Sequence, residues 1–233
     1  VLTGVDITCW GSDLSGNDKL GDLVIKILDQ TPDLPRLRLS SIDVSEIDDG
    51  LLHVFKTNKR MMPHLHLSLQ SGNNLILKRM KRRHSREQAI DLCKNLKAAR
   101  PELTFGADLI AGFPTESDTM FSDTVRLVDE CGISWLHIFP YSGRPNTPAS
   151  RMPQVKPQEI SERSKVLREL AQRKKIQHFA KLKDKRLSVL MESEFRGRAE
   201  DFTEITTTTP LNTGEIYQLE IYDFSAESLV AKD

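Results

Sequence analysis

His64-Leu65-His66-Leu67-Ser68-Leu69-Gln70 alternates a polar residue with a leucine at every step, and Arg36-Leu37-Arg38-Leu39-Ser40 does the same. A period of two is the pattern of a β-strand with one face buried. A parallel sheet covered by helices on both faces reads instead as a nearly continuous apolar run. Two successive strands with a single apolar face therefore point to an open α/β barrel. The leucines pack against an outer helix layer, and Arg36, Arg38, Ser40, His64, His66, Ser68 and Gln70 point inward, toward a polar ligand. An edge strand with one wet face is the plainer alternative.

The surrounding chain supports repeated strand–helix units. Residues 1–5, 36–42, 64–70, 103–113 and 133–141 read as strands. Between the first two, Leu20, Leu23, Val24, Ile27 and Leu28 recur at the spacing of a helix with one buried face. Ser45, Ser85 and Thr115 stand where helix N-caps with an acidic or amide partner three residues on would stand, and Gly132 suits a helix end. Repeated units of this kind imply parallel strands. Residues 157–184 read as one long charged helix. Beyond it, 187–192, 202–208, 215–221 and 228–231 read as short strands of a small all-β barrel. The domains expected are 1–184 and 185–233.

Composition narrows the classes. In 233 residues, 38% hydrophobic and 28% charged content suits a chain with a real core, and the formal net charge is zero. No apolar run approaches the roughly 20 residues that span a bilayer, so no membrane partner and a cytoplasmic location are expected. The 3 cysteines, Cys9, Cys93 and Cys131, are scattered, which argues against a disulfide framework and against a cluster or zinc motif. The chain is thus expected to take up no iron–sulfur cluster by itself. Its opening on an apolar strand without methionine suggests a piece of a longer protein. Charge is local: Lys78-Arg79-Met80-Lys81-Arg82-Arg83-His84 is a basic run, either a nucleic-acid contact or a solvated face.

In α/β barrels ligands bind beyond the carboxyl ends of the strands. Those ends here supply Asp6; Ser40, Ser41 and Asp43; Gln70, Ser71 and Gly72; Gly112, Pro114 and Glu116; and Tyr141, Ser142 and Arg144. They contain no nucleophile–base pair. His64 and His66 share a strand face, but no third histidine or carboxylate is evidently placed with them. They read as interior hydrogen-bonding groups, and no metal ligands are assigned. The site looks built for a polar cofactor whose reactive centre comes from elsewhere.

Three stretches resemble the methylthiotransferase branch of the radical S-adenosylmethionine superfamily. They are the 64–72 stretch ending in Gln70-Ser71-Gly72, Asp108-Leu109-Ile110-Ala111-Gly112-Phe113-Pro114-Thr115-Glu116, and Phe139-Pro140-Tyr141-Ser142-Gly143-Arg144-Pro145-Asn146-Thr147-Pro148-Ala149. Residues 62–70, 77–85 and 151–155 are most similar to the MtaB type, which adds methylthio to C2 of N6-threonylcarbamoyladenosine beside the tRNA anticodon. The resemblance implies a partial radical SAM barrel followed by a β domain loosely similar to the RNA-binding TRAM module. It implies S-adenosylmethionine and [4Fe–4S] clusters whose ligands precede residue 1, leaving no catalytic residue in this chain. It also implies tRNA and an electron donor as partners, with no statement about oligomeric state.

By position, the resemblance makes Asp6, Ser40, Gln70, Ser71, Gly112, Glu116, Tyr141 and Ser142 cofactor-binding. It makes Lys78, Arg79, Lys81, Arg82, Arg83, Arg144, Arg196 and Arg198 RNA-binding. Gly112 would let backbone approach the adenine. Asn146 departs from the family, which usually has glycine there, but asparagine tolerates positive φ. The alternatives are a sister methylthiotransferase acting on isopentenyladenosine or on a ribosomal protein, a non-catalytic RNA-binding piece, and a phosphate-binding barrel enzyme. The last is disfavoured because no glycine-rich phosphate loop is present.

Overall fold

The computed structural model describes residues 1–232. It divides into two compact units, 1–171 and from Gln172 on.

In the first unit, β1 (His64–Gln70), β2 (Thr104–Ala111) and β3 (Ile133–Pro140) form a parallel sheet in that order. The segments at 1–5 and 36–42 do not become strands. They are held by isolated parallel bridges, Leu2 to Leu39, Leu37 to Met61 and Ile42 to Leu67, which continue the sheet beyond β1. Leu37 and Ile42 bond to the 60–68 side while Arg38 and Ser40 bond to Leu2, so the hydrogen bonds alternate between neighbours and neither segment builds an unbroken run with one partner.

Five helices belong wholly to this unit: α1 (Leu20–Gln30), α2 (Asp49–Thr57), α3 (Asn74–Arg79), α4 (Arg86–Ala99) and α5 (Asp118–Glu130). The apolar stripes of α1, α2, α4 and α5 meet the leucine face of the sheet. Leu37, Leu39, Leu65, Leu67 and Leu69 share one core with Leu20, Val24 and Leu28 of α1, Phe55 of α2, and Cys93 and Leu96 of α4. The alternation at 36–40 and 64–70 thus sorts the faces as expected. Leu67 has no exposed surface. Leu67→Ala should cost about 2–5 kcal/mol, measured by urea unfolding, because the two flanking layers can only partly close on the void.

Capping explains where the helices begin. Ser85 accepts from the Gln88 N–H, and Gln88 returns the bond, a full capping box. The other two expected caps shift. Asp48, not Ser45, caps α2 through the Leu51 N–H, and Ser117, not Thr115, caps α5 through the Met120 N–H. Asp43 has already drawn Ser45 into a short 3-10 turn. Thr115 is left-handed, with φ +70°, so it cannot take the extended backbone of a cap. Gly132 follows α5 at φ +63°, the left-handed end its lack of Cβ favours.

α6 (Pro157–Leu182) runs through the division between the units, which falls between Ala171 and Gln172 rather than at 184/185. The second unit is a closed five-stranded barrel in the order β4-β5-β6-β8-β7. Its strands are β4 (Arg186–Ser193), β5 (Arg196–Ala199), β6 (Glu204–Thr207), β7 (Ile216–Phe224) and β8 (Leu229–Lys232). The strand at Arg196-Gly197-Arg198-Ala199 escapes a sequence reading because no β-branched or aromatic residue marks it. Gly197 is required there: a Cβ would lie 2.6 Å from the Leu190 carbonyl oxygen across the ladder.

Candidate functional site

The carboxyl ends of the first unit's strands open into neighbouring clefts. One, of about 520 Å3, is lined by Asp6, Ser41, Asp43, Glu46 and Ser68 with Lys81, Arg82 and Arg83. A second, of about 330 Å3, takes in Gln70, Arg79, Lys81, Arg82 and Phe113. A third, of about 390 Å3, joins Gln70, Ile110 and Phe113 to Tyr141, Ser142 and Arg144. Volumes of this size suit a cofactor the size of a nucleoside.

Gln70 stands at the centre, between the second and third clefts. It ends β1 in a left-handed backbone at φ +65°, a conformation that costs an L-residue roughly 1–2 kcal/mol. Such strain collects where a side chain is held for a ligand. Tyr141 packs edge-on against Phe113, with ring centroids 5.3 Å apart. Its hydroxyl is buried without a hydrogen-bond partner among the described residues. Asn146 takes φ +67°, so the turn at 144–147 survives the loss of glycine.

Four expected cofactor residues stand outside these clefts. Ser40 lines none of them, although its Oγ is buried and unpartnered among the described residues. Ser71 is buried and turned to α5, its hydroxyl 3.4 Å from Thr124 Oγ1 and accepting from the Asn73 N–H. Gly112, at φ +76°, is glycine for packing: a Cβ there would come within 2.5 Å of Ile160 Cγ1. Its N–H donates to Glu116 Oε2 at 2.9 Å. Glu116 is in turn clamped by buried Arg163, whose Nη1 lies 3.0 Å from Oε2. Burial pushes the Glu116 carboxyl above its ordinary range despite these partners. Ser71, Gly112 and Glu116 are thus engaged in the turn and the helix entry beside the mouth.

Two arginines of the basic run are paired with carboxylates. Arg82 Nη1 reaches Asp43 at 3.2 Å, Arg83 Nη1 reaches Glu46 at 2.5 Å, and Arg79 Nη1 donates to Thr115 Oγ1. His84 is buried, its ring 3.5 Å from Asp43. Burial raises the Asp43 carboxyl, but the His84 ring and Ser45 hold it well below the usual range. Lys78 and Lys81 stay exposed, and Lys81 borders the first two clefts. In the second unit Arg196 is exposed. Arg198 lies 3.4 Å from both Glu192 and Glu204 and stacks over Phe202 at 4.4 Å.

Deeper on the same polar face the structure makes a grouping that was not expected. His66 Nε2 lies 2.9 Å from Asp108 Oδ1, and His137 Nδ1 lies 3.3 Å from the same oxygen. Burial raises the Asp108 carboxyl, but hydrogen bonds with His137 and His66 outweigh it and hold it well below the usual range. The same bond to Asp108 raises His137. Each residue is inward by strand alternation, yet the three sit far apart in the chain. Only the register of β1, β2 and β3 brings them together.

Cys93 and Cys131 are buried in the apolar core, and Cys9 lies apart from them beside Asp6 and Glu46. Among the described residues no helix is long and apolar enough to cross a membrane.

Residues 4–128 match the family model for the radical SAM superfamily. The chain is 45% identical over 222 residues to threonylcarbamoyladenosine tRNA methylthiotransferase MtaB of Rickettsia prowazekii, covering 95% of this chain and 52% of that protein. It is 38% identical over 160 residues to tRNA-2-methylthio-N(6)-dimethylallyladenosine synthase of Erythrobacter litoralis, covering 68% of this chain and 36% of that one. The chain spans about half the length of the curated relatives it matches. Coproporphyrinogen III oxidase (HemN) from Escherichia coli, a radical SAM enzyme, superposes with a TM-score of 0.54 at 16% identity over 66% of this chain and 37% of that one, a likeness of fold.

Proposed function

Because this chain belongs to the radical SAM superfamily, we propose that it is the cofactor barrel and β domain of a tRNA methylthiotransferase. Its substrate would be N6-threonylcarbamoyladenosine in tRNA, reached in the cytoplasm. The observation that carries the reading is the mouth of the sheet, where strained Gln70 and Tyr141, whose buried hydroxyl has no partner among the described residues, line clefts of nucleoside size. S-adenosylmethionine held there by Gln70 and its neighbours would supply radical chemistry on one-electron reduction.

The chain's own part is to bind and to orient. The Gln70 amide can both donate to and accept from a ribose or carboxylate. Asp6 offers a carboxylate to the cofactor's amino group, and Tyr141 with Ser142 closes the third cleft against water. Lys81, at the rim, and Arg144 meet the phosphates of an RNA whose base is splayed toward the mouth. Arg82 and Arg83 are held by Asp43 and Glu46 and contribute less. The β barrel, of the architecture used by small RNA-binding modules, offers Arg196 to the same partner.

Mass spectrometry of tRNA nucleosides tests the reading. Cells lacking the parent gene should lose the methylthio group from N6-threonylcarbamoyladenosine. Loss from the dimethylallyl nucleoside instead would favour the sister activity, for which the Erythrobacter relative speaks, and loss from neither would overturn both. In the full-length protein, Gln70→Ala should weaken S-adenosylmethionine binding while tRNA affinity is kept. Lys81→Ala should weaken tRNA binding and lower its log–log salt slope by about one.

A further inference from the structure

We propose that His66, Asp108 and His137 form an open three-donor site for a divalent transition-metal ion of the zinc class, on the polar face of the sheet. The proposal does not depend on the methylthiotransferase reading.

Two imidazole nitrogens, His66 Nε2 and His137 Nδ1, approach one and the same carboxylate oxygen, Asp108 Oδ1, at 2.9 and 3.3 Å. A carboxylate that serves only as a hydrogen-bond acceptor has two oxygens to share between two rings, yet here both rings crowd one. All three donor atoms lie within 4.8 Å of one another. In a four-coordinate zinc site with bonds of about 2.0–2.2 Å the donors stand roughly 3–3.5 Å apart, so small rotations would seat an ion.

The donors come one from each of β1, β2 and β3, and the parallel ladder fixes their spacing. Gly106 keeps the place clear: a Cβ there would lie 2.5 Å from His66 Nδ1. The His66 and His137 rings are 4.9 Å apart and tilted by 32°, so neither blocks the other's lone pair by flat stacking. Closure is one-sided. His66 is buried, whereas the His137 side chain is 63% exposed, which leaves a fourth position open to water or a ligand. A donor set of two imidazoles and a carboxylate suits zinc, cobalt or nickel and not magnesium or calcium.

The test uses the 233-residue chain after dialysis against chelator. Zn(II) is titrated by calorimetry and Co(II) by its visible absorption, with Mg(II) as a control ion. One Zn(II) should bind per chain, and Co(II) should give the strong visible bands of a low-coordinate site with nitrogen ligands. His137→Ala, an exposed and structurally mild change, and Asp108→Asn, which keeps the shape, should each weaken Zn(II) by more than about 100-fold, beyond the loss typical of an outer-shell partner. Zn(II) should raise the unfolding midpoint of the parent chain and not that of either variant. Cys9→Ala, in the other grouping of possible donors, should leave binding unchanged. Absence of one-to-one binding, or equal affinity in His137→Ala and the parent chain, would overturn the site and leave the three residues as a hydrogen-bonded cluster.

Discussion

Replacing Arg163 with alanine is expected to destabilise the first unit by about 3–5 kcal/mol, the loss typical when one partner of a buried ion pair is removed. Arg163 is 6% exposed and gives up three bonds at once. Nη1 donates to the Glu116 carbonyl at 2.9 Å and to Glu116 Oε2 at 3.0 Å, and Nη2 donates to Asp118 Oδ1 at 2.8 Å. What stays behind is a buried carboxylate with only the Gly112 N–H on Oε2, because Oε1 already has no partner among the described residues.

The pH dependence carries its own sign. Burial already raises Glu116 in the folded state, and loss of the cation raises it further. A carboxyl whose folded pKa exceeds its unfolded value, about 4.3, favours folding most below that value and loses the contribution as pH rises. The deficit of Arg163→Ala should therefore widen from pH 4 to pH 8 in urea titrations. Glu116→Gln, which keeps the Gly112 contact and removes the charge, should cost distinctly less. An Arg163→Ala deficit that is flat with pH would show that the cost is packing and not the stranded carboxylate.

In the second unit the corresponding change is His178→Ala, expected to cost about 1–3 kcal/mol because it removes one of the hydrogen-bond partners of the buried Asp201 carboxylate, which keeps the Thr203 N–H. His178 Nε2 lies 2.8 Å from Asp201 Oδ2 and 3.1 Å from Thr203 Oγ1, tying the last turns of α6 to the segment between β5 and β6. Here the sign reverses. Burial raises the Asp201 carboxyl, but the bond from His178 and those from Thr203 outweigh it, and its folded pKa is lowered. A lowered carboxyl stabilises the fold above its unfolded pKa, about 3.9, and loses that contribution as pH falls through the folded value. The gap between His178→Ala and the parent chain should thus be full at pH 7 and shrink in acid. Thermal unfolding followed by circular dichroism from pH 7 to pH 3 measures it. A gap that grows on acidification would mean that Asp201 is not the group responsible.

Strand alternation by itself determined a good deal of this protein. The leucines at 37, 39, 65, 67 and 69 had to face the helices, and the polar partners had to face inward, because a pleated chain offers only two faces. The amphipathic spacing of α1, the capping box at Ser85 and the glycine end at Gly132 were legible for a similar reason: each depends on residues within one or two turns of each other. The cap at Asp48 was not, since it required knowing that Asp43 would turn the chain before it.

Only the tertiary structure decided which inward residues meet. Gly112, Glu116 and Ser71 lie beside the mouth in sequence, yet packing against Ile160, Arg163 and Thr124 uses them for the frame. The basic run at 78–84 reads as free charge until Asp43 and Glu46, more than thirty residues earlier, are folded against Arg82 and Arg83. His66, Asp108 and His137 converge because parallel strands joined by helical crossovers set Asp108 opposite His137 and His66 opposite Gly106, two residues before Asp108. Periodicity states a side chain's face. Register and distance belong to the ladder, and that is set by contacts between segments the chain keeps apart.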